Sequence, residues 1–419
     1  MPGKILVDTT PLRESREYRL LFTGQLISTL GTQLTVVAIP YQVYRLTHSS
    51  LQVGAISLAQ LIPLVIGSLA AGPIGDSADR RKIILWTTLV LMVTSSLLAI
   101  NASLHHPSLL ALYVVSAVAA GFYGFQSTAR MASVPSLVEA RHISAASALS
   151  QIIMQLGTVV GPAISGLLLG IGLPLVYGLD AATFVVALIC VFMMSPIPPV
   201  HDGTRNIWHS TKEGLRYLRT RQAIQGVYIV DINAMVFGMP RALFPAMAGS
   251  VFGGGTITLG FLYAAPGAGA LVGALTTGWV THTRRQGMAV ILAVVVWGLA
   301  IAAFGFTDTL WIALVLLGVA GWADVVSAVL RNTMLQTTIP DRFQSRLSSI
   351  QMAVVQGGPR LGDMESGTVA TLTSLEFSVV SGGFACVVGA VIISLLMPQF
   401  RKHDAHEFAG PIDLGDTTV

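Results

Sequence analysis

Charge and cysteine are both scarce in this chain. Only 11% of its 419 residues are Asp, Glu, Lys or Arg, whereas 53% are hydrophobic. A soluble domain carries about 25% charged residues, so this composition excludes an ordinary soluble protein and indicates a multi-span membrane protein. The two cysteines, Cys190 and Cys386, lie inside apolar runs without CxxC spacing. A disulfide framework and a cysteine metal site are therefore both disfavoured.

Sequence motifs of several enzyme classes are also missing. There is no GxxxxGK(S/T), GxSxG or HExxH pattern, which disfavours direct ATP drive and hydrolytic chemistry. None of the nine histidines lies in the middle of an apolar run, so a histidine proton relay or haem site is not expected. The net charge of +4 is not gathered on one face or tail. Nucleic acid is therefore not an expected partner, whereas membrane lipids are.

The most prominent feature is a series of long apolar runs. A helix needs about 20 apolar residues to cross a bilayer, and twelve runs reach that length. They lie at 19–46, 51–75, 83–104, 108–130, 144–170, 174–194, 223–248, 256–280, 288–307, 309–332, 345–371 and 375–398. The weakest are the seventh, which carries two charges, and the eleventh, which a Gly-Gly-Pro sequence interrupts at 357–359. We predict an all-α membrane protein with twelve transmembrane helices.

Polar segments divide these helices into two six-helix bundles. The predicted division is a cytoplasmic arm at 1–18, a first bundle at 19–194, a cytoplasmic linker at 195–222, a second bundle at 223–398 and a cytoplasmic tail at 399–419. Apart from Arg45, Arg241 and Arg360, every Lys and Arg falls on one predicted side. Basic loops stay cytoplasmic, so both termini are predicted to be inside. The arm lacks the apolar core of a secretory signal.

The linker and the tail have different compositions. Prolines at 196, 198 and 199 prevent the sixth helix from continuing. Apolar side chains then alternate with bases between 208 and 221, which fits either an amphipathic helix on the inner leaflet or a solvated basic linker. The tail after Phe400 is polar and is expected to be disordered.

Glycines recur at a fixed separation in the two bundles. Gly54, Gly67 and Gly72 return as Gly260, Gly273 and Gly278, each 206 positions later. Matched positions spread over several spans suggest a duplicated six-helix unit, although glycine is common in such spans. We therefore expect the two bundles to be pseudo-symmetric, with a site between them.

The loop at 72–82 is short and strongly basic. Its defining residues are Gly72, Asp76, Arg80, Arg81 and Lys82. This order resembles the signature loop between helices two and three of the major facilitator superfamily of transporters, although Ser77 and Asp79 stand where Arg and Gly are usual. The resemblance implies that the loop latches the cytoplasmic side, with Asp76 near the start of the eleventh helix. The alternative is a tight basic loop with no gating role.

The fifth span contains small residues four positions apart. Gly157, Gly161, Pro162 and Gly166 form GxxxGPxxxG, which flattens one helix face so that another backbone can approach. The pattern resembles the motif of superfamily members that export substrates in exchange for protons. Ser165 replaces one glycine of that motif. Generic helix packing is the alternative interpretation.

Ionisable groups inside spans are costly, so they are candidates for function. The acids that could carry a coupled proton are Asp231, Asp324, Asp363 and Glu365. Each could instead belong to a structural ion pair between helices. Asp180, near the start of the sixth span, is expected at the membrane interface.

Polar side chains also recur at helical spacing in the first and fourth spans. Together with two arginines of the second bundle, they are candidates for the lining of a substrate cavity. The set is Gln25, Gln33, Gln126, Arg130, Arg241 and Arg360. Hydrogen bonds that only pack helices together are the alternative.

Four further segments narrow the resemblance. They are THSSLQVG at 47–54, GFLYAA at 260–265, GALT at 273–276 and TMLQT at 333–337. They are similar to the branch of the superfamily that exports enterobactin, and the likeness runs from about residue 12 to about 398. The departures are Ser345, where Gly is usual, and the cluster of Arg360, Asp363 and Glu365.

This resemblance implies a proton-driven exporter of a catecholate siderophore in the bacterial inner membrane. It would act as a monomer by alternating access, with the proton gradient instead of a cofactor as its energy source. Multidrug efflux of macrolides or tetracyclines is the first alternative. Uptake by proton symport, or a receptor or enzyme that reuses the fold, are further ones.

Overall fold

Helices account for every regular element in the computed structural model, which describes residues 8–77, 79–198, 216, 218, 221–339 and 341–404. The helices before the linker are α1 Thr10–Glu14, α2 Arg16–Thr47, α3 Ser50–Ser77, α4 Arg80–Ser103, α5 Leu109–Leu137, α6 Ile143–Leu169 and α7 Leu173–Phe192. Those after it are α8 Gln222–Phe237, α9 Phe244–Ser250, α10 Gly255–Thr276, α11 Gln286–Gly305, α12 Leu310–Thr338, α13 Asp341–Leu372, α14 Leu375–Leu396 and α15 Pro398–Arg401. The amphipathic helix proposed for the linker falls almost entirely outside the described residues.

Eleven stretches of the described chain are long and apolar enough to cross a membrane. One of them combines α8 and α9 into a single stretch, Gln222–Ser250. The remaining predicted span, which is the eleventh in chain order at 345–371, lies within α13. The 32 residues of α13 extend about 48 Å at the rise of an α-helix. This helix is less apolar than the others because it carries six charged residues, of which Arg360 and Asp363 border a cavity.

Short polar residues fix the starts of several spans. Ser15 caps α2 by accepting a hydrogen bond from the Tyr18 N–H at 3.1 Å, and Asp79 caps α4 through the Arg81 N–H at 2.9 Å. Such caps satisfy backbone donors that the helix itself leaves free. The turn from α2 to α3 passes through His48, whose φ of 49° is left-handed. The hairpin between these spans is therefore tight.

The repeated glycines occupy equivalent contacts in the two halves. A Cβ at Gly54 of α3 would lie 2.8 Å from Met364 Cα in α13, and one at Gly260 of α10 would lie 2.8 Å from Gly166 Cα in α6. Both glycines thus allow a close approach to a helix of the other half. Gly273, in turn, faces α12 within its own half, as Gly67 faces α5. The two halves are related in contacts as well as in sequence.

The segment after the last span is anchored rather than loose up to its last described residue. Phe400 is fully buried, and it packs so closely on Gly226 and Gly287 that neither could carry a Cβ. The Gln399 N–H donates to Gln222 Oε1 at 3.1 Å. The tail that the sequence predicts to be disordered begins directly after this anchored residue, and its first residues, 401–404, are described. Residues 405–419 lie outside the described residues.

Candidate functional site

A central cavity of about 390 Å³ lies between the two halves. Helices α2, α3, α4, α5, α6 and α7 line it from one side, and α10, α13 and the turn between α8 and α9 line it from the other. Its wall combines apolar side chains with hydroxyl and amide side chains from both halves. The charged residues in the lining are Asp180, Arg241, Arg360 and Asp363. Buried charges facing one cavity indicate a ligand or ion site.

The seventh span is broken at this cavity. Helix α8 ends at Phe237, and a short 3₁₀ turn, Arg241–Leu243, connects to α9. Side chains of other helices take up the backbone groups that the break exposes. Trp297 Nε1–H donates to the Gly238 carbonyl at 2.9 Å and the Tyr263 hydroxyl donates to the Arg241 carbonyl at 3.1 Å. The break therefore satisfies the rule that irregular backbone at membrane depth must be paired.

Asp363 completes the support of this break from α13. Its Oδ1 accepts a hydrogen bond from the Ala242 N–H at 3.1 Å. Asp363 thus lies at the start of the 3₁₀ turn, where free backbone N–H groups favour a negative charge. The same contact fixes Arg241, the neighbouring residue, at the edge of the cavity.

A second, smaller cavity of about 180 Å³ adjoins the first. Arg241 and Tyr263 line both cavities. On the far side of the second cavity, Asp324 from α12 is part of the lining, as are Trp297 and Gln155. Arg241 therefore stands between a large cavity shared by both halves and a small one that leads to an acid.

Behind the smaller cavity lies a buried charge network. Arg331 Nη1 is paired with Asp231 Oδ1, and Arg331 Nη2 is 4.0 Å from Asp324 Oδ1. The side chains of Arg331 and Asp231 are each 4% exposed, whereas that of Asp324 is 31% exposed. One arginine thus serves two acids, and only Asp324 is accessible from a cavity. Arg331 was not among the candidates from the sequence. The signal that could have indicated it is its position seven residues after Asp324, on the same helix face.

The structure separates the residues that the sequence proposed for the site. Gln33, Arg241, Arg360 and Asp363 line the central cavity, and Asp324 lines the smaller one. The remaining candidates, Gln25, Gln126, Arg130, Asp231 and Glu365, are not in the lining of either. Gln126 is buried, with its amide donating to Thr88 at 2.7 Å and its carbonyl accepting from Arg130 at 2.7 Å. Its hydrogen bonds therefore pack α4 and α5 together.

The expectation that Asp180 lies at the membrane interface is wrong. It is the eighth residue of α7, is 2% exposed and lines the central cavity. Thr35 of α2 and Ser95 of α4 donate hydrogen bonds to its Oδ2 at 2.7 and 2.8 Å. These two residues were not candidates from the sequence, because single hydroxyls in apolar spans carry no distinctive signal.

The basic loop contacts its own half through the residues that are described. Arg80 Nη1 donates to the Ala132 carbonyl at 2.6 Å in α5. Arg81 Nε donates to the Val191 carbonyl at 3.2 Å in α7, and its guanidinium lies 5.8 Å from the centre of the Phe192 ring. These bonds hold the ends of α4, α5 and α7 together. Lys82 is exposed, and the side chains of Gly72 and Asp76 lie outside the described residues.

The small-residue helix α6 serves two interfaces. Gly157 and Gly161 face α2, where a Cβ on either would press on Thr29 or Gln33. One turn further on, the backbones of Pro162 and Gly166 meet Gly260 in the other half. Ser165, the departure from the exporter motif, is accommodated because its hydroxyl donates to the Leu34 carbonyl at 2.9 Å.

Backbones of the two halves meet closely near one end of the molecule. Gly166 meets Gly260 near the end of α6, and Gly367 meets Ser50 near the end of α13. At mid-depth, a Cβ at Gly357 would be 3.3 Å from the Leu61 side chain. The end that carries the α2–α3 and α13–α14 turns is therefore tightly closed by backbone contacts.

A helical fold in two related halves, closed at one end around a cavity with buried charges, defines a membrane transporter. Solved structures share this fold. The chain is similar to a mutant form of the nucleoside transporter NupG, with a TM-score of 0.76, 13% identity and coverage of 91% of this chain and 99% of that one. It is also similar to a D-xylose-proton symporter, with a TM-score of 0.72, 13% identity and coverage of 92% and 98%.

Sequence comparison identifies the family. The model described as transmembrane secretion effector (MFS_3) matches residues 8–411. The enterobactin exporter EntS of Shigella boydii serotype 18 is 30% identical over 398 residues, which is 95% of each chain. EntS of Escherichia coli O139:H28 is 29% identical over the same length. The chain belongs to the transmembrane secretion effector family of the major facilitator superfamily, and it is a secondary transporter of the inner membrane, not an enzyme.

Proposed function

We propose that this transporter exports a small anionic molecule of the enterobactin type from the cytoplasm, in exchange for protons and by alternating access. Its two halves, at about 19–194 and 223–398, would rock about the central cavity while both termini stay in the cytoplasm. Relatives named as enterobactin exporters across 95% of the chain support the substrate class. Multidrug efflux is the alternative that the experiment below separates from it.

The surroundings of Arg360 are the main support for an anionic substrate. It lines the central cavity, and its Nη1 donates to the Gln356 carbonyl at 2.7 Å. Its Nε–H is buried and has no hydrogen-bond partner. A buried guanidinium donor without an acceptor is costly, and an anionic oxygen is its best partner. Arg241 lines the same cavity, so a catecholate would meet two arginines there, beside the acids Asp180 and Asp363.

The closed end supports an assignment of the conformational state of the transporter and of the direction of transport. Under the predicted topology, the α2–α3 and α13–α14 turns face outward, so the backbone contacts at Gly166 and Gly367 seal the outer side. The structure would then be the inward-facing state, which accepts substrate from the cytoplasm. Parting of these contacts would release it outside.

The charge network supports proton coupling. Arg331 can serve either Asp231 or Asp324, and only Asp324 opens to a cavity. When Asp324 binds a proton, Asp231 becomes the single ionised partner of Arg331 in this network. Because Arg241 lines both cavities, its charge is the physical link between this acid and a bound anion.

Export in cells tests the substrate assignment. The chain is expressed in a bacterial strain that lacks its own enterobactin exporter, and enterobactin is measured in cells and medium. Wild-type protein should restore secretion. Arg360→Gln removes a charge-assisted hydrogen bond that is worth about 1.5–3 kcal/mol. The affinity for enterobactin should therefore fall about 10- to 100-fold. Arg45→Gln, a change at an exposed arginine near the end of α2, should leave secretion intact.

Two results would count against the proposal. Enterobactin that stays in cells containing correctly inserted wild-type protein would exclude this substrate. If the same cells also became resistant to a macrolide or a tetracycline, multidrug efflux would replace it.

A further inference from the structure

We propose that Asp180 is a proton-binding site in the amino-terminal half of the transporter, separate from the network of Asp231, Arg331 and Asp324. The inference deepens the proposed function, because it rests on proton-coupled export. It begins from the surroundings of this one side chain. Asp180 is 2% exposed and borders the central cavity.

The two oxygens of Asp180 have different environments. Oδ2 accepts hydrogen bonds from the hydroxyls of Thr35 and Ser95. Oδ1 is buried and has no hydrogen-bond partner. Gly31 lets this oxygen lie close to the α2 backbone, because a Cβ there would be 2.7 Å from Oδ1 and closer still to Thr183 Oγ1. The carboxyl group is therefore held through one oxygen, while the other accepts no hydrogen bond.

The helices packed around Asp180 bring no charge to it. Helices α2, α4 and α6 carry no Asp, Glu, Lys, Arg or His between 20 and 44, 83 and 103, or 143 and 169. The titratable groups there are the phenols of Tyr41 and Tyr44 on α2. On α7 itself, the Tyr177 hydroxyl donates to Gln42 at 2.7 Å, and Cys190 lies nearly three turns further on.

The charged groups that face Asp180 all stand across the cavity. Arg241, Arg360 and Asp363 come from the carboxy-terminal half, and Tyr123 and Tyr263 are the phenols in the same lining. No salt bridge within the described residues includes Asp180. An ionised carboxylate without a cation is costly away from water, and a bound proton removes that cost. Asp231 is the contrasting case, because Arg331 already neutralises it.

In this arrangement, a proton on Asp180 would affect how the helices of the amino-terminal half are joined. The bonds from Thr35 and Ser95 join α2 and α4 to α7 through one carboxyl group. Proton binding at Asp180 also changes the net charge of a cavity that holds two arginines. The bound proton removes a negative charge from the cavity, so the affinities of the cavity for a proton and for a substrate anion would be linked.

Infrared spectroscopy tests the proposal without any substrate. Full-length protein in liposomes is taken through a pH titration, and the absorption of protonated carboxyl groups is followed. Asp180→Asn should lose the contribution of one carboxyl group. Ser95→Ala, which removes a donor to Oδ2, should shift the midpoint of that contribution. Ser96→Ala is the matched control, because the Ser96 hydroxyl donates instead to the Met92 carbonyl at 2.8 Å, and it should leave the midpoint unchanged.

Identical titrations of wild type and Asp180→Asn would overturn the proposal. If Asp180→Asn does not fold, the comparison of Ser95→Ala with Ser96→Ala decides the matter in a protein that retains the acid. Wild-type export that ignores a pH gradient would instead refute the proposed coupling, whatever the spectra give.

Discussion

Gly166 in α6 and Gly260 in α10 meet backbone to backbone across the interface of the two halves. A Cβ on Gly166 would lie 2.7 Å from the Cα of Gly260, closer than real side chains approach. Gly54 makes the equivalent contact with α13, 206 positions before Gly260. The closed end of the transporter thus depends on paired sites that admit no side chain.

Substitution at this contact should weaken closure. Gly260→Ala inserts a methyl group that must push two backbones apart, at a cost of about 1–3 kcal/mol. We expect a lower thermal midpoint in detergent and slower export. Gly178→Ala is the matched control, because nothing lies within 4 Å of its Cβ position. Equal stability of the two variants would show that the contact is not tight.

The buried ion pair makes a prediction about stability. Arg331→Met leaves Asp231 buried and unpaired, which should lower stability by about 3–5 kcal/mol. Asp231→Asn should cost less, because Arg331 keeps Asp324 at 4.0 Å as a second partner. The double variant should recover most of the stability lost in Arg331→Met. Thermal unfolding of the three purified variants measures this order, and a double variant as unstable as Arg331→Met would contradict it.

Coupling should depend on the acid that opens to a cavity. Asp324→Asn is expected to export down a substrate gradient but to lose stimulation by a pH gradient. Glu376→Gln changes an exposed acid at the start of α14 and should behave as wild type. Both are compared as the ratio of vesicle transport with and without the gradient. Unchanged stimulation in Asp324→Asn would remove this acid from the mechanism.

The break in the seventh span should position Arg241. Tyr263→Phe keeps the ring and removes the hydroxyl that donates to the Arg241 carbonyl. The loss leaves a buried carbonyl unpaired, at a cost of about 1–3 kcal/mol. We expect weaker binding of enterobactin with little change in insertion, measured by titration of purified protein. An unchanged dissociation constant would mean that the break holds Arg241 without this bond.

Much of the fold was predictable from apolar runs, but the cavity was not. Each of the twelve runs coincides with a long helix or, for the seventh, with the pair α8 and α9, because lipid demands about 20 apolar residues for each crossing. They could not reveal the break at 238–243, because Gly238, Met239 and Pro240 lie inside a run that is long enough to form one continuous span. Which side chains pair with the broken backbone depends on α10, α11 and α13, which are distant in sequence.

The site was predictable mainly where a charge interrupts an apolar run, and Gln33 is the uncharged exception. This signal found Arg241, Asp324, Arg360 and Asp363, all of which border a cavity. It placed Asp180 at the interface because the residue lies near the start of its run. Burial of that carboxyl depends on the hydroxyls of Thr35 and Ser95, which only the packing of three helices brings together.

Transport in proteoliposomes with an imposed pH gradient tests the central claim most directly. Purified protein is reconstituted, enterobactin is supplied on the side of the basic loops, and its movement is measured with and without a proton gradient directed the opposite way. The account predicts transport against the enterobactin gradient only when the proton gradient is present, together with proton movement in the opposite direction. Equal transport under both conditions would contradict proton-coupled export.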